Sequence, residues 1–74
     1  MKLAPWTDFS DLDIYEGDVI RHPSGEIGRV VYDASQTDVL DQWRVEYTDG
    51  ALGRLCDQIG IKGQAEVVRS TDQN

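Results

Sequence analysis

Among the side chains of this 74-residue chain that can take part in chemistry, one histidine and one cysteine stand alone. His22 has the intrinsic capacity to act as acid or base near neutral pH. No Ser or Cys accompanies it in a nucleophile motif, and its place directly before Pro23 reads as an exposed turn. Cys56 has no second cysteine to pair with, and no Cys or His pair has metal-ligand spacing, so it reads as a small residue in a strand. The chain therefore yields no catalytic residue, no metal ligand and no redox centre.

The aromatic residues and the arginines carry more information. Tyr32, Trp43 and Tyr47, joined by Tyr15 and Trp6, could cage a methylated lysine or arginine, with Asp33 or Asp49 as counter-charge. The plainer reading is that alternating aromatics in so short a chain are its core. If Gly28, Val30 and Tyr32 point inward, then Ile27, Arg29 and Val31 point outward, and Arg44 and Glu46 do the same on the next strand. Leu52 and Arg54 join them unless a bulge at Gly53 shifts the register and buries Leu52. Both alternatives stand. The first makes Ile27, Arg29, Val31, Arg44, Glu46, Leu52 and Arg54 a mixed arginine and aliphatic face, a composition that suits a protein interface.

These side chains need strands to position them. Gly17-Asp18 opens a strand at Val19-Ile20-Arg21-His22, Pro23-Ser24-Gly25 turns it, and Glu26 to Asp33 runs back. Gly28 inside that run marks a bend or a close backbone approach. Residues 34–41 form a polar connection whose Val39 and Leu40 are expected to tuck down. Gln42 to Thr48 alternates clearly, with Trp43, Val45 and Tyr47 on one face. Asp49-Gly50 predicts a type I′ hairpin, Ala51 to Cys56 the returning strand, Asp57 to Gly60 one helical turn stopped by glycine, and Ala65 to Val68 a last strand. Before all of this, Pro5 and Thr7 suggest a short capped helical turn in an arm that lays Trp6, Phe9 and Leu12 over one end of the fold. The sum is an all-β, small five-stranded barrel with one short helical turn before the last strand. Its organisation is an N-terminal arm over 1–15, the barrel over 16–69 and a disordered tail over 70–74.

Fourteen acidic residues against seven basic ones give a net charge of −7, which disfavours a nucleic-acid partner because phosphate neutralisation needs clustered cations. No stretch of eighteen apolar residues and no signal-peptide pattern occurs, so a cytoplasmic protein without membrane contact is expected. A domain this small buries only about 60% of its unfolded surface, and a protein partner or a second copy would help to stabilise it.

Gly17-Asp18-Val19-Ile20, Ser24-Gly25, Gly28, Val30-Val31, the aromatic strand, Asp49-Gly50 and the closing Val67-Val68 together resemble an SH3-like barrel of the group that includes KOW, Tudor and chromo-barrel-like modules. The resemblance implies the fold, while the surplus of apolar residues on both strand faces points to a binding domain rather than an enzyme, with no cofactor. A narrower similarity links Gly17 to Gly25 with the first hairpin of the plasmid-type (type II) dihydrofolate reductases, which would imply NADPH binding. That family has a lysine where His22 falls, and a Val-Gln-Ile-Tyr signature where this chain has Asp57-Gln58-Ile59-Gly60. The expectation is a non-enzymatic interaction domain that acts through a protein surface and self-associates. A KOW-type nucleic-acid module and the reductase are the alternatives.

Overall fold

The computed structural model describes residues 1–68; the tail over 70–74 lies outside them. The chain is all-β, with strands β1 (Leu3–Thr7), β2 (Asp13–Tyr15), β3 (Val19–Arg21), β4 (Ile27–Tyr32), β5 (Trp43–Tyr47), β6 (Leu52–Arg54) and β7 (Glu66–Val68). Two short helices interrupt them, α1 (Val39–Gln42) and α2 (Leu55–Ile59). β3 to β7 form one antiparallel sheet in the order β6-β5-β4-β3-β7, so the last strand lies beside the first of the five. β1 and β2 make a separate hairpin.

One side of the five-stranded sheet is apolar because strand side chains alternate. Ile20, Val30, Trp43, Val45 and Val67 enter a single core, roofed by Leu55 and Ile59 of α2 and by Ala4 and Ile14 of the hairpin. Trp43, Ile14, Ile20, Leu55, Val30 and Val45 are the largest fully buried side chains, each contributing roughly 1.5–3 kcal/mol of transfer free energy. Leu55 and Ile59 stand four residues apart, which places both on the sheet-facing side of α2.

Four local expectations need correction. The segment around Thr7 is a strand, not a helical turn, because Asp8 organises a tight reversal instead. Its Oδ1 accepts from Ser10 N and Leu12 N, and its Oδ2 accepts from Val67 N. The hairpin's Ala4 and Ile14 are buried, whereas Phe9 and Leu12 are 44% and 48% exposed.

The turn at Asp49-Gly50 is not type I′, since only Gly50 has positive φ. Gly50 N bonds to Tyr47 O, and Tyr47 N to Ala51 O, which is a three-residue loop closed by a glycine bulge. The Pro23-Ser24-Gly25 turn repeats this pattern, with Gly25 N donating to His22 O and His22 N to Glu26 O.

The helical turn before the last strand starts earlier than expected, at Leu55, so Cys56 is helical and the returning strand ends at Arg54. Val39, expected to tuck down, is 45% exposed on α1, a helix without buried residues.

Candidate functional site

The outer side of the five-stranded sheet is built by the residues that alternate with the core. Backbone pairing sorts them into cross-strand rows. Glu66, Arg21 and Ile27 share one row; Val68, Val19, Arg29, Glu46 and Leu52 span all five strands in the next; Val31, Arg44 and Arg54 make the third. All seven of Ile27, Arg29, Val31, Arg44, Glu46, Leu52 and Arg54 therefore share one face. Pairing through Val45↔Gly53 is regular, with no bulge to bury Leu52, which is 55% exposed. Gly53 answers a different need: a Cβ there would lie 2.7 Å from Gln58 Nε2, so the glycine makes room for α2.

The rows stagger the arginines. Arg21, Arg29 and Arg44 each sit one row further along on successive strands β3, β4 and β5, and Arg54 on β6 stands directly opposite Arg44. Diagonal neighbours of this kind are about 7–8 Å apart at the backbone. A band of four of the chain's five arginines thus crosses the sheet obliquely. Two like charges directly opposite repel, and Asp41 at the edge relieves the Arg44 and Arg54 pair. Its carbonyl accepts from Arg44 Nε at 2.9 Å, and its carboxylate Oδ1 accepts from Arg54 Nε at 2.8 Å and lies 2.8 Å from Arg54 Nη2. The hydrogen bond to Asp41, and then the charge of that carboxylate, raise the Arg54 pKa above its ordinary value.

The connection over 34–41 delivers Asp41 to this place. Asp33 starts it, its carboxylate held below the usual range by hydrogen bonds from the Ser35 side chain and backbone and from Gln36, with Arg44 adding to the effect. Asp38 then caps α1 by accepting from Leu40 N at 2.9 Å. Near the opposite end of the face, where the β3–β4 and β5–β6 turns meet, a shallow depression of about 470 Å³ is lined by Val19, Ile27, Arg29, Glu46 and Thr48 among others.

The aromatic candidates are placed differently. Trp43 is 1% exposed and Tyr47 9%, so their ring faces are spent on the core. Tyr32 is half-buried, packs on Trp43 with centroids 4.9 Å apart, and has Lys2 Nζ 5.0 Å from its ring centre. Trp6 is half-buried against the core, and Tyr15 lies on β2.

His22 is not the exposed turn residue expected. It is half-buried, its Nδ1 2.8 Å from Gly63 O and its Nε2 2.6 Å from the Tyr47 hydroxyl, which donates to Gln58 Oε1 at 2.7 Å. Gln58 and Ile59, the counterparts of the reductase signature, lie on α2 instead of a strand. The Cys56 thiol is raised by burial and then by Asp57, the opposite of what activates a thiolate.

Sequence reasoning did not assign Val19, Arg21, Glu66 and Val68 to the face, nor Asp41 to its edge. Alternation about buried Ile20 and Val67 is the signal that locates the first four. Asp41 had no such signal, because its partners depend on where a loop lands. Among the described residues no group of three or more His, Cys, Asp or Glu could hold a metal ion, and no helix is long and apolar enough to cross a membrane. Comparison of the chain with protein-family models, curated proteins and solved structures found no match.

Proposed function

We propose that this protein is a non-enzymatic binding domain of the SH3-like barrel class that works through the outer face of its five-stranded sheet, binds protein and self-associates. The observation that carries the reading is the coincidence on one face of the arginine band with Ile27 and Leu52, both about half exposed. Arginine is enriched in protein interfaces, and the exposed aliphatic side chains beside it supply apolar surface for a partner to cover. The last strand lying beside the first of the five, with a helical turn ahead of it, supports the SH3-like assignment. A cytoplasmic setting fits a lone thiol.

The test is sedimentation equilibrium of the wild type beside the Ile27→Asp/Leu52→Asp double variant. Both positions are exposed, so the fold tolerates the change, and association weakens at least tenfold. A wild type that stays monomeric at high micromolar concentration removes self-association from the proposal.

Four arginines on one sheet face also favour a second reading, the KOW-type nucleic-acid module. Glu46 and Glu66 interleaved with the arginines count against it, as does the lack of any aromatic ring in the three rows for bases to stack on. Titration with RNA and DNA at low salt decides between them. Tight binding that collapses as salt rises would establish the second reading.

A further inference from the structure

Charge is distributed very unevenly over this molecule. The three outer rows hold four arginines against two glutamates, whereas the other described residues hold two lysines against eleven carboxylates. A face of charge +2 therefore sits on a body of charge −9. Two copies that bring identical arginine faces together set like charge against like. Two copies arranged head to tail set the face of one against the acidic body of the next.

Part of the acidic body has a chemistry that mirrors the face. The β1–β2 turn, Asp8-Phe9-Ser10-Asp11-Leu12-Asp13, presents Phe9 and Leu12 about half exposed among exposed Asp11 and Asp13. Arginine and aliphatic groups on one side thus have carboxylate, aromatic and aliphatic counterparts on the other.

The tip is also held in shape before any partner arrives. Besides the three amides that Asp8 accepts, Phe9 N bonds to Ala65 O, Ser10 Oγ donates to Glu66 Oε2 at 2.6 Å, and Asp11 adopts a φ of 68°. A loop fixed in this way loses little entropy on docking. Its bonds to Ala65, Glu66 and Val67 keep it at the β7 edge. Arg21, on the neighbouring strand β3, lines one depression with Phe9 of the same chain, whereas Arg54 on β6 is four strand spacings away along the sheet, so the tip lies beside only the near end of its own arginine band.

We infer that the Phe9–Asp13 tip of one copy docks on the arginine face of a second copy, a heterologous contact that closes into a ring or extends into a filament. This rests on the proposed role of the outer face and adds the identity of its occupant. The occupant's carboxylates meet the arginine band, and Phe9 and Leu12 cover Ile27 and Leu52.

Sedimentation velocity of the full chain, as a concentration series at low and high salt, provides the test. Wild type forms assemblies that salt weakens. Face variant Arg29→Glu/Arg44→Glu and tip variant Asp11→Asn/Leu12→Ser, each checked for a cooperative melt, dissociate at least tenfold more readily. Mixed in equal amounts, the two variants recover a one-to-one complex, because each retains the half that the other lacks.

A tip variant that assembles like wild type, or a mixture that stays monomeric, overturns the inference and leaves the outer face as the binding surface. A monomeric wild type removes both the inference and self-association. If the face variant does not fold, Arg29→Lys keeps the charge and offers an amine for carbodiimide coupling. An intermolecular cross-link from that introduced amine to Asp11 or Asp13 then supports the contact, and coupling only elsewhere refutes it.

Discussion

The imidazole of His22 and the phenol of Tyr47 meet with Nε2 2.6 Å from the hydroxyl, joining the β3–β4 turn to the core side of β5. The Gly63 carbonyl can only accept, so Nδ1 of His22 carries a proton towards it. The single Tyr47 hydroxyl proton has two acceptors within hydrogen-bond distance, Gln58 Oε1 at 2.7 Å and His22 Nε2 at 2.6 Å, and is shared between them. Four separate segments are thereby tied at one polar point beside an apolar core, and none of these groups can be removed without orphaning another.

Replacing Tyr47 by Phe removes the hydroxyl and leaves His22 Nε2 and Gln58 Oε1 without their partner, at a cost of about 2 kcal/mol. Urea denaturation measures it. Tyr47 also makes stability depend on pH. Burial first and the charge of Glu26 second push its pKa from 10.0 up to about 12. The fold therefore favours the neutral phenol, and this stabilisation is fully present below pH 10 and is lost as the pH rises through about 12. An alkaline titration of stability should fall in that window for wild type and flatten there in Tyr47→Phe.

Two glycines near Gln58 separate rigid from yielding neighbours. A Cβ on Gly63 would lie 2.1 Å from the Gln58 carbonyl oxygen, a backbone atom that can move only by opening the loop that supplies the His22 acceptor. On Gly53 it would meet the end of the Gln58 side chain, which can swing aside at the expense of its hydrogen bond with Tyr47. Gly63→Ala is expected to cost about 3 kcal/mol and Gly53→Ala about 1 kcal/mol, the loss of that one hydrogen bond. Thermal melts of the two variants side by side test the difference in rank.

Asp8 is the buried charged residue among those described, 4% exposed, and its carboxylate closes the β1–β2 turn against β7. Asp8→Ala strips the acceptor from three amides. About 3 kcal/mol of stability should be lost. Hydrogen exchange of the Val67 amide reports the change locally, and protection there equal to wild type would contradict the role given to Asp8.

Asp41 belongs to the opposite class. It holds Arg44 and Arg54 near the surface, where an ion pair contributes little, so Asp41→Ala should shift the unfolding free energy by less than about 1 kcal/mol. Its effect should appear in how the arginines engage a partner. A loss of several kcal/mol in chemical denaturation would mean that Asp41 supports the fold rather than the face.

Four of the five core-sheet strands bury one face and expose the other, so a period of two is visible in residues such as Trp43, Val45 and Tyr47. The fifth, β6, which buries no side chain, is legible from the Asp49-Gly50 turn before it. The N-terminal hairpin was not legible. Its two strands are short, its turn uses Asp8 and a left-handed Asp11 instead of glycine, and the Val67 amide that completes it lies 59 residues away. The His22 contacts leave no local trace for a related reason, since Tyr47, Gln58 and Gly63 are distant in the chain and no short pattern links them.

Composition and alternation by themselves determined an acidic, all-β chain and nominated the seven residues of its outer strand positions, because side-chain direction in a strand is a local property. Only the tertiary structure decided that those positions share one face with Arg21, that Gly53 keeps register instead of breaking it, and that Asp41 clamps two arginines. Register and loop landing depend on contacts between remote segments, and the energies that select them are absent from any short window of the sequence.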